Sequence, residues 1–266
     1  VSLAHELGLR IAVGHIYRFF PLVGLIRQDL AEGKYGRVLS ADVRVHWGHD
    51  QDYYDQAAWR GTWLQDGGAL MNQTVHALDL LIWLLGEKTV AVQGAIARLS
   101  HKMEAEDYGA AILEMTNGSL CRVEGTTNTP PKMHSASFYI STEGAEIEAG
   151  LRSGLPYIKV RDRQGKGAKA HYWRRTLAAM RKNGFGRQLK AYLNPHTGIY
   201  WDLAQALDQD IAPRADGMSG MEAVENVLGI YKSALEGGRR VSLPLDSFSL
   251  QEMRGFFRAP DESVSD

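Results

Sequence analysis

The chain has 266 residues, 44% apolar and 23% charged, with a formal net charge of −1, the balance of an ordinary globular protein of one large or two small domains. A single cysteine, Cys121, excludes an internal disulfide and fits a reducing, cytoplasmic compartment; it reads as a core residue rather than a nucleophile. No signal peptide and no membrane-spanning run is present.

Residues 1–9 read as the end of an amphipathic helix stopped by Gly8, and Arg10 to Gly14 as a short buried strand. Together they look like the last αβ unit of a doubly wound domain whose body would lie upstream of Val1. Pro21 opens the next helix at an N1-like position, with Leu22, Leu25, Ile26 and Leu30 as its apolar stripe. Val38 to Trp47 alternates as a half-buried strand does. His46 and His49 stand three apart, but no carboxylate or cysteine pattern completes a ligand set, so no metal site is expected. Residues 50–65 are irregular, aromatic and acidic, and hold Tyr53, Tyr54, Trp59, Arg60 and Trp63.

From Ala69 to Leu85 the chain is apolar on nearly every side, which predicts a buried helix ended by Gly86. Buried helices exclude polar groups that lack partners. Yet Asn72, His76 and Asp79 share one face at i, i+4 and i+7, behind the Gly67-Gly68 pair. This is the pattern of a catalytic wall; a core histidine satisfied by a carbonyl is the plainer alternative.

Strands are predicted over Val90–Arg98, Tyr108–Met115, Ser119–Thr126 and Ser137–Ser141, with a hairpin signal at Asn117-Gly118 and tight turns at Glu143-Gly144 and Gly150. Residues 151–190 hold twelve of the thirty Lys and Arg residues but one acid, Asp162. A solvated basic loop, a phosphate-bearing substrate and nucleic acid are the three readings of 152–190; no nucleic-acid motif accompanies the charge, and that partner is not expected. A helix over His171–Lys182, helices over His196–Leu207 and Gly220–Glu236, and a short strand over Val241–Leu245 follow. The expected class is α+β: a largely antiparallel open sheet with helices on one face, preceded by the αβ unit. Residues 1–20 read as part of a dinucleotide-binding domain, 21–257 as a substrate-binding and catalytic domain, and 258–266 as a frayed tail.

Gly67-Gly68-x-x-x-Asn72-x-x-x-His76-x-x-Asp79, Val13 to Pro21, Trp59-Arg60-Gly61-Thr62-Trp63, Glu106-Asp107, Asn117-Gly118 and Pro195-His196 through Pro244 together resemble the Gfo/Idh/MocA family of NAD(P)-dependent oxidoreductases acting on sugars and cyclitols. The resemblance implies His76 as acid–base group with Asn72 beside it. It implies Tyr17, Asp79 and His196 at the substrate and Arg18, Trp59 and Arg60 at the cofactor. It also implies NAD or NADP as cofactor, a sugar-like substrate, and a homodimer or tetramer through the open sheet face. The family often has Asp at the Asn72 position, and Asn cannot supply charge to an imidazolium. Bottom-up, Arg60 is a planar donor fork, Tyr17 and Arg18 can equally hinge two domains, and His196 can cap its helix. No G-x-G-x-x-G turn to cradle a pyrophosphate occurs in the sequence, and the family's Glu-Lys-Pro is absent too, so the chain alone is expected to be inactive. An NAD-dependent glycosidase or lyase of the same fold, and a non-enzymatic binding or assembly domain, are the rival functions.

Overall fold

The computed structural model describes residues 1–182, 184, 186, 194 and 196–257. The acidic tail 258–266, with Phe185, Arg187, Lys190 and Tyr192 of the basic stretch, lies outside the described residues.

Alternating side chains build the sheet. Its strands are β1 (Val38–Trp47), β2 (Thr89–Ala97), β3 (Tyr108–Met115), β4 (Leu120–Thr126), β5 (His134–Thr142), β6 (Ala145–Arg152), β7 (Leu155–Asp162) and β8 (Val241–Ser242). They lie in the order β7-β6-β5-β1-β4-β3-β2-β8. Every pairing is antiparallel except β1 with β4, so the first strand sits mid-sheet, with Val43 between Val123 and Phe138. One face carries Ala41, Val43, Val45, Val123, Phe138 and Ile140 into the core. The opposite face carries ion pairs, among them Arg122 with Asp42, Arg44 with Glu124 at 3.3 Å and Lys159 with Glu148 at 3.0 Å.

The helices are α1 (Ser2–Glu6), α2 (Pro21–Ala31), α3 (Gln51–Asp55), α4 (Val75–Leu85), α5 (Lys169–Lys182), α6 (His196–Gln209) and α7 (Gly217–Leu235). The predicted central helix is not α-helical throughout: Leu70–Thr74 forms a π-turn ahead of α4. Thr74 Oγ1 donates to the Ala69 carbonyl at 3.0 Å, five residues back, in step with that wider turn. The sheet leaves space for it. A Cβ at Gly125 of β4 would lie 1.9 Å from Thr74 Oγ1, and one at Gly109 of β3 would lie 2.6 Å from a Leu70 methyl. Gly86 ends α4 at φ +68°, as the sequence predicts.

Three expectations are corrected. Arg10–Gly14 is extended but not a strand: it holds one isolated bridge, Ala12 to Asp216, and the Val13 N–H donates to Ala215 O at 2.8 Å. A buried parallel strand needs neighbours on both edges and cover on both faces, and here Leu3, Leu7 and Leu9 are exposed. Gly150 is not a turn; it lies inside β6, where a Cβ would meet the Ala136 carbonyl at 2.3 Å. The first part of the basic stretch is likewise the edge strand β7, not a loop.

Behind β7, helix α5 is tied to α2 through buried Asp29. Its carboxylate accepts from Tyr172 Oη at 2.6 Å, Arg175 Nη1 at 2.5 Å and Lys34 Nζ at 2.7 Å. Part of the basic charge thus has a structural use. No helix among the described residues is long and apolar enough to cross a membrane.

Candidate active site

The entry to the central helix is held by a carboxyl group. Glu106 Oε1 accepts from the Leu70 N–H at 2.9 Å and the Tyr231 hydroxyl at 2.8 Å, and its backbone carbonyl accepts from the Ala69 N–H at 2.9 Å. Oε2 is buried without a partner. Burial pushes the carboxyl up to about 8, against the two hydrogen bonds that pull it down. The Gly67-Gly68 pair now has a physical account. Gly67 adopts φ +71°, and a Cβ on Gly68 would lie 2.0 Å from Glu106 Oε2. What comes close to Gly68 is a buried glutamate from the loop that leads into β3, while Gly67 lies against Met71.

The polar stripe divides into three environments. Asn72 Nδ2 donates to Asp66, Asn72 Oδ1 accepts from Gln73, and Asp66 also accepts from the Gly61 N–H at 2.9 Å. Asn72 lines a small cleft with His49, Tyr53, Tyr54 and Asp66. One turn on, His76 is half-buried, its ring edge-on to His15 at 5.7 Å and to Tyr17 at 6.3 Å. Its Nδ1 is buried and unpartnered. Burial, then the nearby charge of His196, lowers its pKa, so the imidazole is neutral at pH 7 and able to accept a proton. His196 itself is exposed, with its N–H on Asn194 Oδ1 at 3.2 Å.

Asp79 does not line a cleft with them. It is 1% exposed, and Arg18, 4% exposed, donates Nε to Oδ2 at 2.8 Å and Nη2 to Oδ1 at 2.5 Å. Arg18 Nη1 is spent on the Arg214 carbonyl at 2.7 Å. Arg18 and Asp79, expected at cofactor and substrate, are instead a fork-to-carboxylate pair locking the 3-10 turn Ile16–Phe19 onto α4. Burial raises the Asp79 carboxyl to about 6, with Arg18 pulling the other way. Tyr17 is half-buried beside His76 and walls an apolar cavity of about 70 Å³ with Phe20, Ala77, Phe138 and Trp173.

Trp59 and Arg60 belong to a stack. The Arg60 guanidinium lies 4.2 Å from the Tyr53 ring centre and 4.5 Å from that of Trp59, and Tyr53 stacks on His49 at 3.7 Å. Arg60 Nη1 donates to Tyr53 Oη at 2.8 Å, while its Nε is buried and unpartnered. Trp59 is 42% exposed and presents the open end of the stack. Behind it, His101 bridges Asp107 at 3.1 Å and the His49 carbonyl at 3.1 Å, both ring nitrogens facing acceptors. The Asp107 hydrogen bond raises the His101 pKa. Among the described residues no group of three or more His, Cys, Asp or Glu is placed to hold a metal ion.

Sequence reasoning passes over His15, Asp66, Glu106 and Tyr231 as site residues. Asp66 abuts Gly67, and His15 sits in the stretch before Tyr17, so both are within reach of a motif reading. Nothing in the sequence joins Tyr231 to Glu106, 125 positions apart.

The GFO/IDH/MocA C-terminal domain model matches residues 24–148. The WlbA dehydrogenase of Bordetella pertussis, solved in complex with NADH and UDP-GlcNAcA, superposes with a TM-score of 0.75 at 31% identity, over 92% of this chain and 68% of that one. Among curated proteins, glucose-fructose oxidoreductase domain-containing protein 1 of Mus musculus is 25% identical over 149 residues, 52% of this chain and 37% of its own length. The putative oxidoreductase YteT of Bacillus subtilis is 25% identical over 148 residues, 55% of this chain and 34% of its own. These matches span little more than a third of either curated relative. With a shared fold, a matching domain model and a 31% identical relative covered over two thirds of its length, the chain belongs to the Gfo/Idh/MocA oxidoreductase family.

Proposed function

We propose that the chain is the C-terminal substrate-binding and catalytic portion of a nicotinamide-dependent oxidoreductase acting on a secondary alcohol of a sugar or cyclitol. The observation that carries this reading is His76: a neutral, half-buried imidazole beside Tyr17 and one turn from Asn72, in a family of oxidoreductases. Oxidising an alcohol requires a proton to leave its oxygen as the hydride leaves its carbon, and a neutral imidazole takes that proton near pH 7. Asn72, held by Asp66 and Gln73, orients the substrate by hydrogen bonding. His196 and Tyr17 flank the same ring and meet the substrate with it.

Nicotinamide, when bound, supplies or accepts the hydride. Trp59 and Arg60 would hold one end of it: the exposed indole face and the unpartnered Arg60 Nε suit a flat, anionic cofactor. The pyrophosphate cradle has no counterpart in this sequence. Calorimetric titration of the chain as it stands with NAD and NADP is therefore expected to show no saturable heat.

The 31% identical dehydrogenase bound to UDP-GlcNAcA, together with the basic stretch after residue 150, favours a nucleotide-linked sugar acid as substrate. The test is to incubate the complete gene product with NAD or NADP and a panel of free sugars, cyclitols and UDP-sugars. Absorbance of reduced nicotinamide in proportion to oxidised sugar supports the oxidoreductase reading. Bond cleavage without net reduced nicotinamide indicates the glycosidase or lyase alternative, and no turnover of any member leaves the binding-domain reading. Assembly belongs to the same proposal. The open face sets exposed Ile112 and Leu120 among its ion pairs, and a homodimer through it is expected in sedimentation at micromolar concentration.

A further inference from the structure

We propose that His15 is the positioning residue of the acid–base histidine, forming a relay from Asp79 through His15 to His76. This rests on the oxidoreductase reading for its purpose but on geometry for its existence. His15 is 5% exposed, and its Nε2 lies 3.4 Å from Asp79 Oδ1. Asp79 is already held through both oxygens by Arg18, so it has no need of His15 as an anchor. His15 therefore has another role. Its Nδ1 is buried and unpartnered, and so is Nδ1 of His76, on a ring 5.7 Å away. Buried polar atoms without partners are rare and costly. A single hydrogen bond, His76 Nδ1–H to His15 Nδ1, satisfies both atoms at once, and such catalytic hydrogen bonds commonly tighten only when substrate binds.

The protonation states agree. Burial, then the neighbouring His76 and Arg18, holds His15 down to about 3, so it stays neutral. The Asp79 carboxylate selects its Nε2–H form, which leaves Nδ1 as a bare acceptor. That acceptor selects the Nδ1–H form of His76 and leaves Nε2 for the substrate hydroxyl. The charged groups around the relay are Arg18 from the 3-10 turn, Glu222 of α7 acting on Asp79, and His196 of α6 acting on His76. On alcohol oxidation the hydroxyl proton passes to His76 Nε2, while bound nicotinamide would take the hydride from the same carbon. The resulting imidazolium keeps its Nδ1–H on His15, with Asp79 behind. The relay thus brings a carboxylate to a site where Asn72 has none to offer.

The test is ring-nitrogen NMR on the full chain labelled with ¹⁵N-histidine, which needs no turnover. The expected result is Nε2–H for His15 and Nδ1–H for His76. The opposite tautomer at either ring overturns the relay. His15→Gln keeps a donor for Asp79 and removes the Nδ1 acceptor, so His76 should lose its tautomer preference and titrate at lower pH. In the complete gene product the same change should lower kcat roughly 10–100-fold, with KM little altered. A folded His15→Gln protein with unchanged His76 tautomer and titration also overturns it. If both tautomers are as expected but the gene product oxidises nothing, the relay stands and the oxidoreductase reading falls.

Discussion

Asn72 and Asp79 sit at the two ends of one polar stripe, and the protein treats them in opposite ways. Asn72 lines a cleft and is held by side chains that solvent also reaches, Asp66 and Gln73. Asp79 is sealed, and Arg18 fills its two oxygens. Sharing a helix face therefore does not mean sharing an environment. The open end borders a small cleft, the closed end is locked into the fold by Arg18, and His76 stands between them.

The sharpest way to break this contrast is at the closed end. Arg18→Met leaves the buried Asp79 carboxylate with only neutral His15 beside it, and should cost about 3–5 kcal/mol in denaturant unfolding. Asn72→Ala, at the open end, should cost about 1 kcal/mol or less. Near-equal losses for the two variants would erase the distinction. Gly68→Ala probes the glutamate behind the helix entry: a Cβ there lies 2.0 Å from Glu106 Oε2, so overpacking should cost about 1–3 kcal/mol. A thermally neutral Gly68→Ala would mean that Glu106 is not fixed against the loop.

A further effect is in pH dependence. The Glu106 carboxyl lies near 8 when folded, against an ordinary value of 4.5. The folded state thus holds the proton that the unfolded state releases, and this contribution is complete below about 4.5 and lost as pH rises toward 8. Unfolding free energy should fall across that window by at most about 1.4 kcal/mol per pH unit from this group, and Glu106→Gln should flatten the slope. An identical slope in the variant would show that the group titrates normally.

Much of the fold and part of the site are legible in the chain. Alternation marks β1 to β4, and the apolar run ended by Gly86 marks α4. The spacing of Asn72 and His76 on that apolar run marks the candidate site. β6 and β7 escape because Gly150 resembles a turn residue and the basic residues of 152–163 resemble a loop. In fact Ala145, Ile147 and Ala149 alternate into the core. The π-turn is invisible in sequence because it depends on room left by Gly109 and Gly125 on strands far along the chain. The pairing of Arg18 with Asp79 is hidden for a related reason: a cofactor contact and a buried ion pair use the same residue type, and only the fold shows the pair.

The central claim is that His76 carries the proton. It is tested most directly by comparing NAD(P)-dependent sugar oxidation in the complete gene product with and without His76→Gln, across pH 5 to 9. The account predicts a loss of roughly 10²–10⁴-fold in kcat with stability little changed, and disappearance of the acidic limb of the pH profile. A variant that keeps the wild-type rate and the same limb would contradict it.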